Sequence, residues 1–233
     1  MKSCVMALCL TLLGGLALAA IPNGTPAEPP MSEPVQLSVS RPVSAAATQV
    51  LGPDELIWTD NPDETLHYDG NPSSGIGLTN GGTFYGAARF TPTSTCTVKA
   101  VLFFQHGAAS NDYIFIFGEN NDTTPGVKLE SVPYSAADTY RWKRIDLPQP
   151  LVVRAGTDYW ACVRTTHLAG HFPLGCDAGP MVRDRGGFIS TNGIRWQQLV
   201  DVNPQLNYNW NIRAIVRSVP GLAHDVGVSK ILA

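Results

Sequence analysis

The sequence has little charge and no excess of one sign. Charged residues make up 15% of the 233, and 16 Lys and Arg stand against 19 Asp and Glu, for a net charge of −3. A nucleic acid or an anionic membrane asks for a basic face, and this composition offers none, so neither partner is expected. Helical periodicity is also missing: beyond residues 1–19, no stretch repeats its apolar groups at the spacing of an amphipathic helix. No apolar run is long enough to span a membrane. There is no Gly-x-Ser-x-Gly elbow, no His-Glu-x-x-His pair and no glycine-rich phosphate loop, so three common hydrolytic and nucleotide-binding chemistries lose their local signature. Cysteine is scarce, with 5 in the whole chain.

What is present begins with a leader. Met1 and Lys2 precede an apolar run that ends at Ala17-Leu-Ala19, an A-x-A cleavage pattern. Residues 1–19 therefore read as a secretory signal peptide, and the protein as exported to the cell surface or beyond. Residues 20–51 are rich in Pro, Ala, Ser and Thr and poor in large apolar groups, which predicts a disordered linker. Residues 52–218 form one domain by length and patterning. Residues 219–233 follow with Pro220-Gly221 and then Val226 and Val228 in alternation, the pattern of a first strand of a following module. The chain is accordingly expected to belong to a longer multi-domain protein.

Within the domain, short apolar or alternating runs are cut at even intervals by turn residues. Residues 97–105 and 112–117 are apolar on both parities, which predicts central, covered strands. Residues 207–217 alternate: Tyr208, Trp210, Ile212, Ala214 and Val216 share one face, and Asn207, Asn209, Asn211 and Arg213 share the other. Thr191-Asn-Gly193 predicts a tight hairpin between residues 187–190 and 194–199. Residues 69–82 read as a long glycine-rich loop. The pattern as a whole is that of an all-β, antiparallel two-sheet sandwich.

Several segments carry a resemblance. They are Ala87-Ala-Arg-Phe-Thr-Pro92, Cys96-Thr-Val-Lys-Ala100, the loop ending Thr124-Pro-Gly126, Asp158-Tyr-Trp160 and Asn211-Ile-Arg-Ala-Ile-Val216. Together with residues 142–147, they resemble the jelly-roll-like β-sandwich modules of secreted, multi-domain bacterial surface proteins. The resemblance implies a jelly-roll-like sandwich and neighbouring peptidase or adhesin domains. It implies no catalytic motif, because these modules share none.

Individual residues supply narrower expectations. Cys4 and Cys9 fall in the leader, which leaves Cys96, Cys162 and Cys176. A hairpin turning near Ala169 would set Cys162 opposite Cys176, and an oxidising compartment would then join them in a disulfide. In the 118–126 loop, Glu119 and Asp122 are candidate oxygen ligands for a structural calcium; Asn and Asp are equally the residues of ordinary turns. No other cofactor is expected. Trp142 and Arg144 share a strand face with Asp146 and are candidates for stacking on a sugar ring or a cell-surface partner.

These residues support a non-catalytic secreted or cell-surface module for binding, adhesion or display, with a carbohydrate ligand as one form. The alternative is an exported hydrolase of unrecognised type. That alternative requires His106, His167, His171, Asp112 and Asp177 to gather in one cleft.

Overall fold

The computed structural model describes residues 36–39 and 63–219. Residues 1–19, expected to be a signal peptide, most of the expected linker 20–51, and residues 220–233 lie outside them. The described chain is a two-sheet antiparallel sandwich. In chain order its strands are β1 (Leu37–Val39), β2 (Asp63–Leu66), β3 (Ser74–Leu78), β4 (Gly81–Phe90) and β5 (Cys96–Gln105). They continue with β6 (Ser110–Phe117), β7 (Lys128–Tyr134), β8 (Arg141–Val153) and β9 (Tyr159–Leu168). Last come β10 (Leu174–Cys176), β11 (Phe188–Ser190), β12 (Gln197–Gln198), the short helix α1 (Leu199–Val202) and β13 (Ile212–Ser218).

One sheet has seven strands in the order β1-β3-β10-β5-β13-β2, with β8 also paired to β5. The other has six, in the order β12-β11-β4-β9-β6-β7. Between them lies the main core, where side chains of alternate parity meet. Val98, Val101 and Phe103 of β5 enter it from one sheet, and Ile114 and Ile116 of β6 from the other. Trp210 joins them, 1% exposed, and its Nε1–H donates to the Phe188 carbonyl at 2.7 Å. Each large apolar side chain removed from water here contributes about 1.5–3 kcal/mol.

Four departures from the sequence reading have physical causes. Strand β3 lies inside the expected glycine-rich loop. Its Gly75 and Gly77 leave room for imidazoles: a Cβ would stand 2.3 Å from His106 Nδ1 at the first and 2.8 Å from the His167 ring at the second. Strand β1 lies inside the expected disordered linker, where Leu37–Val39 pairs antiparallel with β3 and Leu37 packs on the core. The runs at residues 140–147 and 151–153, which in sequence predict two strands, are joined in one strand, β8. The register with β5 shifts between Val98 and Ala100, and this bulge takes up Pro148 and Pro150, which have no N–H to give a ladder.

The fourth departure concerns the polar face of residues 207–217. Asn209 and Asn211 are 1% and 0% exposed rather than wet. They are satisfied in place. Asn211 Nδ2 donates to Asp69 at 2.7 Å, and Asn209 Nδ2 donates to Asp177 at 2.9 Å.

Candidate functional site

Strand β6 alternates two kinds of apolar residue. Ile114 and Ile116 point into the sandwich, whereas Tyr113, Phe115 and Phe117 point out of it, because successive side chains of a strand leave on opposite sides. The neighbouring strands add to the same outer face in register. Tyr85 of β4, Arg164 of β9 and Tyr113 form one rung. Ala87, Cys162 and Phe115 form the next. Arg89, Trp160 and Phe117 form the third. Phe188 of β11 pairs beside Ala87.

These rings make a second, smaller apolar cluster outside the main core. Tyr113 and Phe115 stack at 5.9 Å, Tyr85 and Phe115 at 6.0 Å, and Phe115 and Phe117 meet at 5.7 Å. Trp160 is fully buried against Phe188, ring centres 4.4 Å apart. Trp196 lies against Trp160, Tyr85 and Phe117 at 6.0, 6.2 and 6.3 Å. It is placed by the hairpin foreseen at Asn192-Gly193. Asn192 Oδ1 accepts from the N–H groups of Ile194 and Arg195, both at 2.9 Å, and Gly193 takes φ +73°, which the turn needs. Tyr85, Tyr113, Phe117 and Trp196 remain partly exposed.

Two cations stand over this face. Arg164 Cζ is 5.5 Å from the centre of Tyr113, and Lys128 Nζ is 5.3 Å from the centre of Phe115. Two buried donors in the cluster, Arg164 Nε and Trp160 Nε1, have no hydrogen-bond partner. At the lower rung, Arg89 is engaged: it pairs with Asp122 and with Asp158, the latter at 3.1 Å. A sheet face of partly exposed rings with cations above can take a flat, partly apolar ligand and bond its polar edge. Sequence reasoning missed this surface because residues 112–117 were read only as apolar on both parities. The signal was there, with aromatics on one parity and isoleucines on the other.

The expected site residues fall elsewhere. Trp142 and Arg144 do share the outer face of the seven-stranded sheet, but each is engaged. The Arg213 guanidinium lies 4.1 Å over the Trp142 ring, Phe104 meets that ring edge-on, and Arg144 Nη2 pairs with Asp146 at 2.7 Å. In the 118–126 loop, Asp122 is bonded to Arg89, whose guanidinium holds its carboxyl below the usual range. Asn121 Oδ1 accepts from the N–H groups of Thr123 and Thr124, so the loop uses its oxygens as a turn does. Glu119 is exposed, and no group of three or more metal-ligating side chains exists among the described residues.

The expected disulfide is corrected. Cys96, Cys162 and Cys176 are all free and buried. After β9 the chain does not return as a hairpin but crosses to the other sheet, where β10 pairs with β3 and β5. Cys162 faces the outer aromatic cluster and Cys176 the main core.

Of the histidines and acids named for a hydrolase, His106, His167 and His171 come near one another around β3, but His106, His167 and Asp177 are each bonded to backbone groups. His167 Nε2 accepts from the Leu78 N–H at 3.0 Å, which leaves the proton on Nδ1 for the Leu168 carbonyl. His106 Nδ1 bonds the Phe172 carbonyl at 2.9 Å. Burial pushes both imidazoles below their usual range. Asp177 accepts from the backbone N–H groups of Gly70, Gly179 and Asn209. Asp112 is buried at the start of β6, and that burial raises its carboxyl.

No known protein family and no curated protein matches the sequence. Two solved structures are similar in fold. One comprises the cysteine protease and lectin-like domains of Cwp84, a surface-layer-associated protein of Clostridium difficile, at 14% identity and TM-score 0.49. The match covers 69% of this chain and 37% of that one. The other is clostridial cysteine protease Cwp84 after propeptide cleavage, at 13% identity and TM-score 0.52, covering 69% of this chain and 41% of that one. The chain thus spans well under half the length of the proteins it resembles, and the likeness is one of fold.

Proposed function

We propose that the chain is a non-catalytic binding module of an exported or cell-surface protein, and that it presents the aromatic outer face of its six-stranded sheet to a carbohydrate. The observation that carries this reading is the row Tyr113, Phe115 and Phe117 on the outer parity of β6, flanked by Tyr85 and Trp196 and topped by Arg164 and Lys128. Carbohydrate rings have apolar C–H faces that stack on aromatics, and hydroxyl edges that bond to charged groups. Three of the five residues that a hydrolase would need, His106, His167 and Asp177, are instead tied to backbone groups.

A panel of immobilised glycans probed with the full chain tests this. Binding is expected for at least one glycan class, with at least a tenfold loss in Phe117→Ala. A panel without binding, or a bound glycan indifferent to Phe117→Ala, contradicts the reading.

A further inference from the structure

We infer that the ligand of this face is an acidic sugar, a pyranose ring bearing a carboxylate, with Arg164 as the residue that selects it. This rests on the aromatic face being the binding surface, and adds the charge of what binds there.

Arg164 differs from seven of the other described arginines. Arg89, Arg141, Arg144, Arg183, Arg185, Arg213 and Arg217 each pair with an aspartate. Arg164 makes no salt bridge among the described residues; its guanidinium lies over Tyr113, and its buried Nε has no acceptor. A buried guanidinium donor left without a partner costs on the order of 1–3 kcal/mol, so an anion that engages it recovers that cost. Lys128, also over the ring row, makes no salt bridge among the described residues either. The face therefore presents two cations, with a buried carboxylate, Asp112, near Arg164, on a chain whose net charge is −3.

Position completes the case. Arg164 sits between Tyr85 and Tyr113 on one rung. A ring stacked on either tyrosine brings a substituent at its edge to the guanidinium fork, whose planar donors match a carboxylate bidentately. Neutral sugars would meet Arg164 through hydroxyls, without the ionic pairing that a carboxylate adds.

Titration calorimetry on the full chain with a galacturonate tetrasaccharide and its fully methyl-esterified form separates the possibilities. The acid is expected to bind at least tenfold tighter than the ester, with that advantage shrinking as salt rises. Arg164→Gln should bring the acid to the level of the ester and leave the ester within about twofold. Arg164→Lys should keep part of the preference, since charge remains while the fork is lost. Equal binding of acid and ester to the unmodified chain overturns the inference and leaves the aromatic-face reading standing. A preference for acid that survives Arg164→Gln also overturns it. If acid and ester both bind and Phe117→Ala changes neither, the ligand sits elsewhere and both readings fall. Should Arg164→Gln fail to fold, the comparison of acid with ester on the unmodified chain still decides.

Discussion

The two outer faces of this sandwich use the same residue types to opposite ends. On the seven-stranded sheet, Arg213 covers Trp142 and donates through Nε and Nη2 to the fully buried Asp69 at 3.0–3.1 Å. Its neighbours are paired too: Arg144 with Asp146, and Lys99 and Arg217 with Asp63. On the six-stranded sheet, Arg164 and Lys128 stand over Tyr113 and Phe115 and make no salt bridge among the described residues; the buried Asp112 acts on Arg164 only through space. An arginine over an aromatic ring is thus structural when a buried acid completes it, and available to a ligand when none does. The discriminating feature is the acid, not the Trp or Arg.

The comparison breaks most readily at Asp69. Burial pushes this carboxyl up, against the pull of Arg213 and Asn211. Asp69→Ala leaves Arg213 and Asn211 only the Gly70 carbonyl as acceptor and strips Arg213 of its counter-charge, and a loss of about 3 kcal/mol is expected in urea unfolding. Ligand binding by the folded fraction should not change, because the other face is untouched. A variant as stable as the parent would show that the seven-stranded face is not held by this pair.

Next in size is Trp196→Ala. This ring shields Trp160 and bridges Tyr85 to Phe117, so its removal should cost about 2 kcal/mol and raise the exposure of Trp160 to acrylamide quenching. Unchanged quenching would mean that Trp196 is not a cover of the aromatic face.

A smaller effect follows from pH. His167 of β9 accepts from Leu78 of β3, so it ties one sheet to the other, and only the neutral ring can do so. Burial holds the folded imidazoles of His167 and His106 below the ordinary value near 6.5. The unfolded chain therefore binds protons first. Stability is full above about pH 6.5 and falls as pH drops below it, until the folded rings also protonate. His167→Gln should flatten that slope in thermal melts between pH 7.5 and 5.5. A slope untouched by the substitution would assign it to other groups. Smallest is Asp146→Ala, which opens an exposed pair with Arg144 and should cost under about 1 kcal/mol.

How much of this was legible from residues alone varies with the element. The alternation of residues 208–216, broken only at Ile215, placed Trp210 and Ile212 in the core, and Asn192-Gly193 placed the β11–β12 hairpin. Strand β3 was hidden because its glycines look like loop chemistry until the packed imidazoles are seen. Strand β7 was hidden by its low apolar content and Pro133, which an edge strand tolerates. Cys162 and Cys176 looked like a pair because sequence cannot tell a hairpin from a crossover to the second sheet. The candidate site was half legible. Parity put Trp142 and Arg144 together on an outer face, but nothing in their own segment announced that Arg213 already covers the ring. The aromatic parity of β6 was readable, and its meaning depended on β4 and β9 lying beside it.

The central claim is that the six-stranded face binds and the seven-stranded face does not. It is tested most directly by measuring the affinity of one bound glycan for Tyr113→Ala and Trp142→Ala side by side. The account predicts at least a tenfold loss in Tyr113→Ala and parental affinity in Trp142→Ala. The reverse order would contradict it and return the site to Trp142.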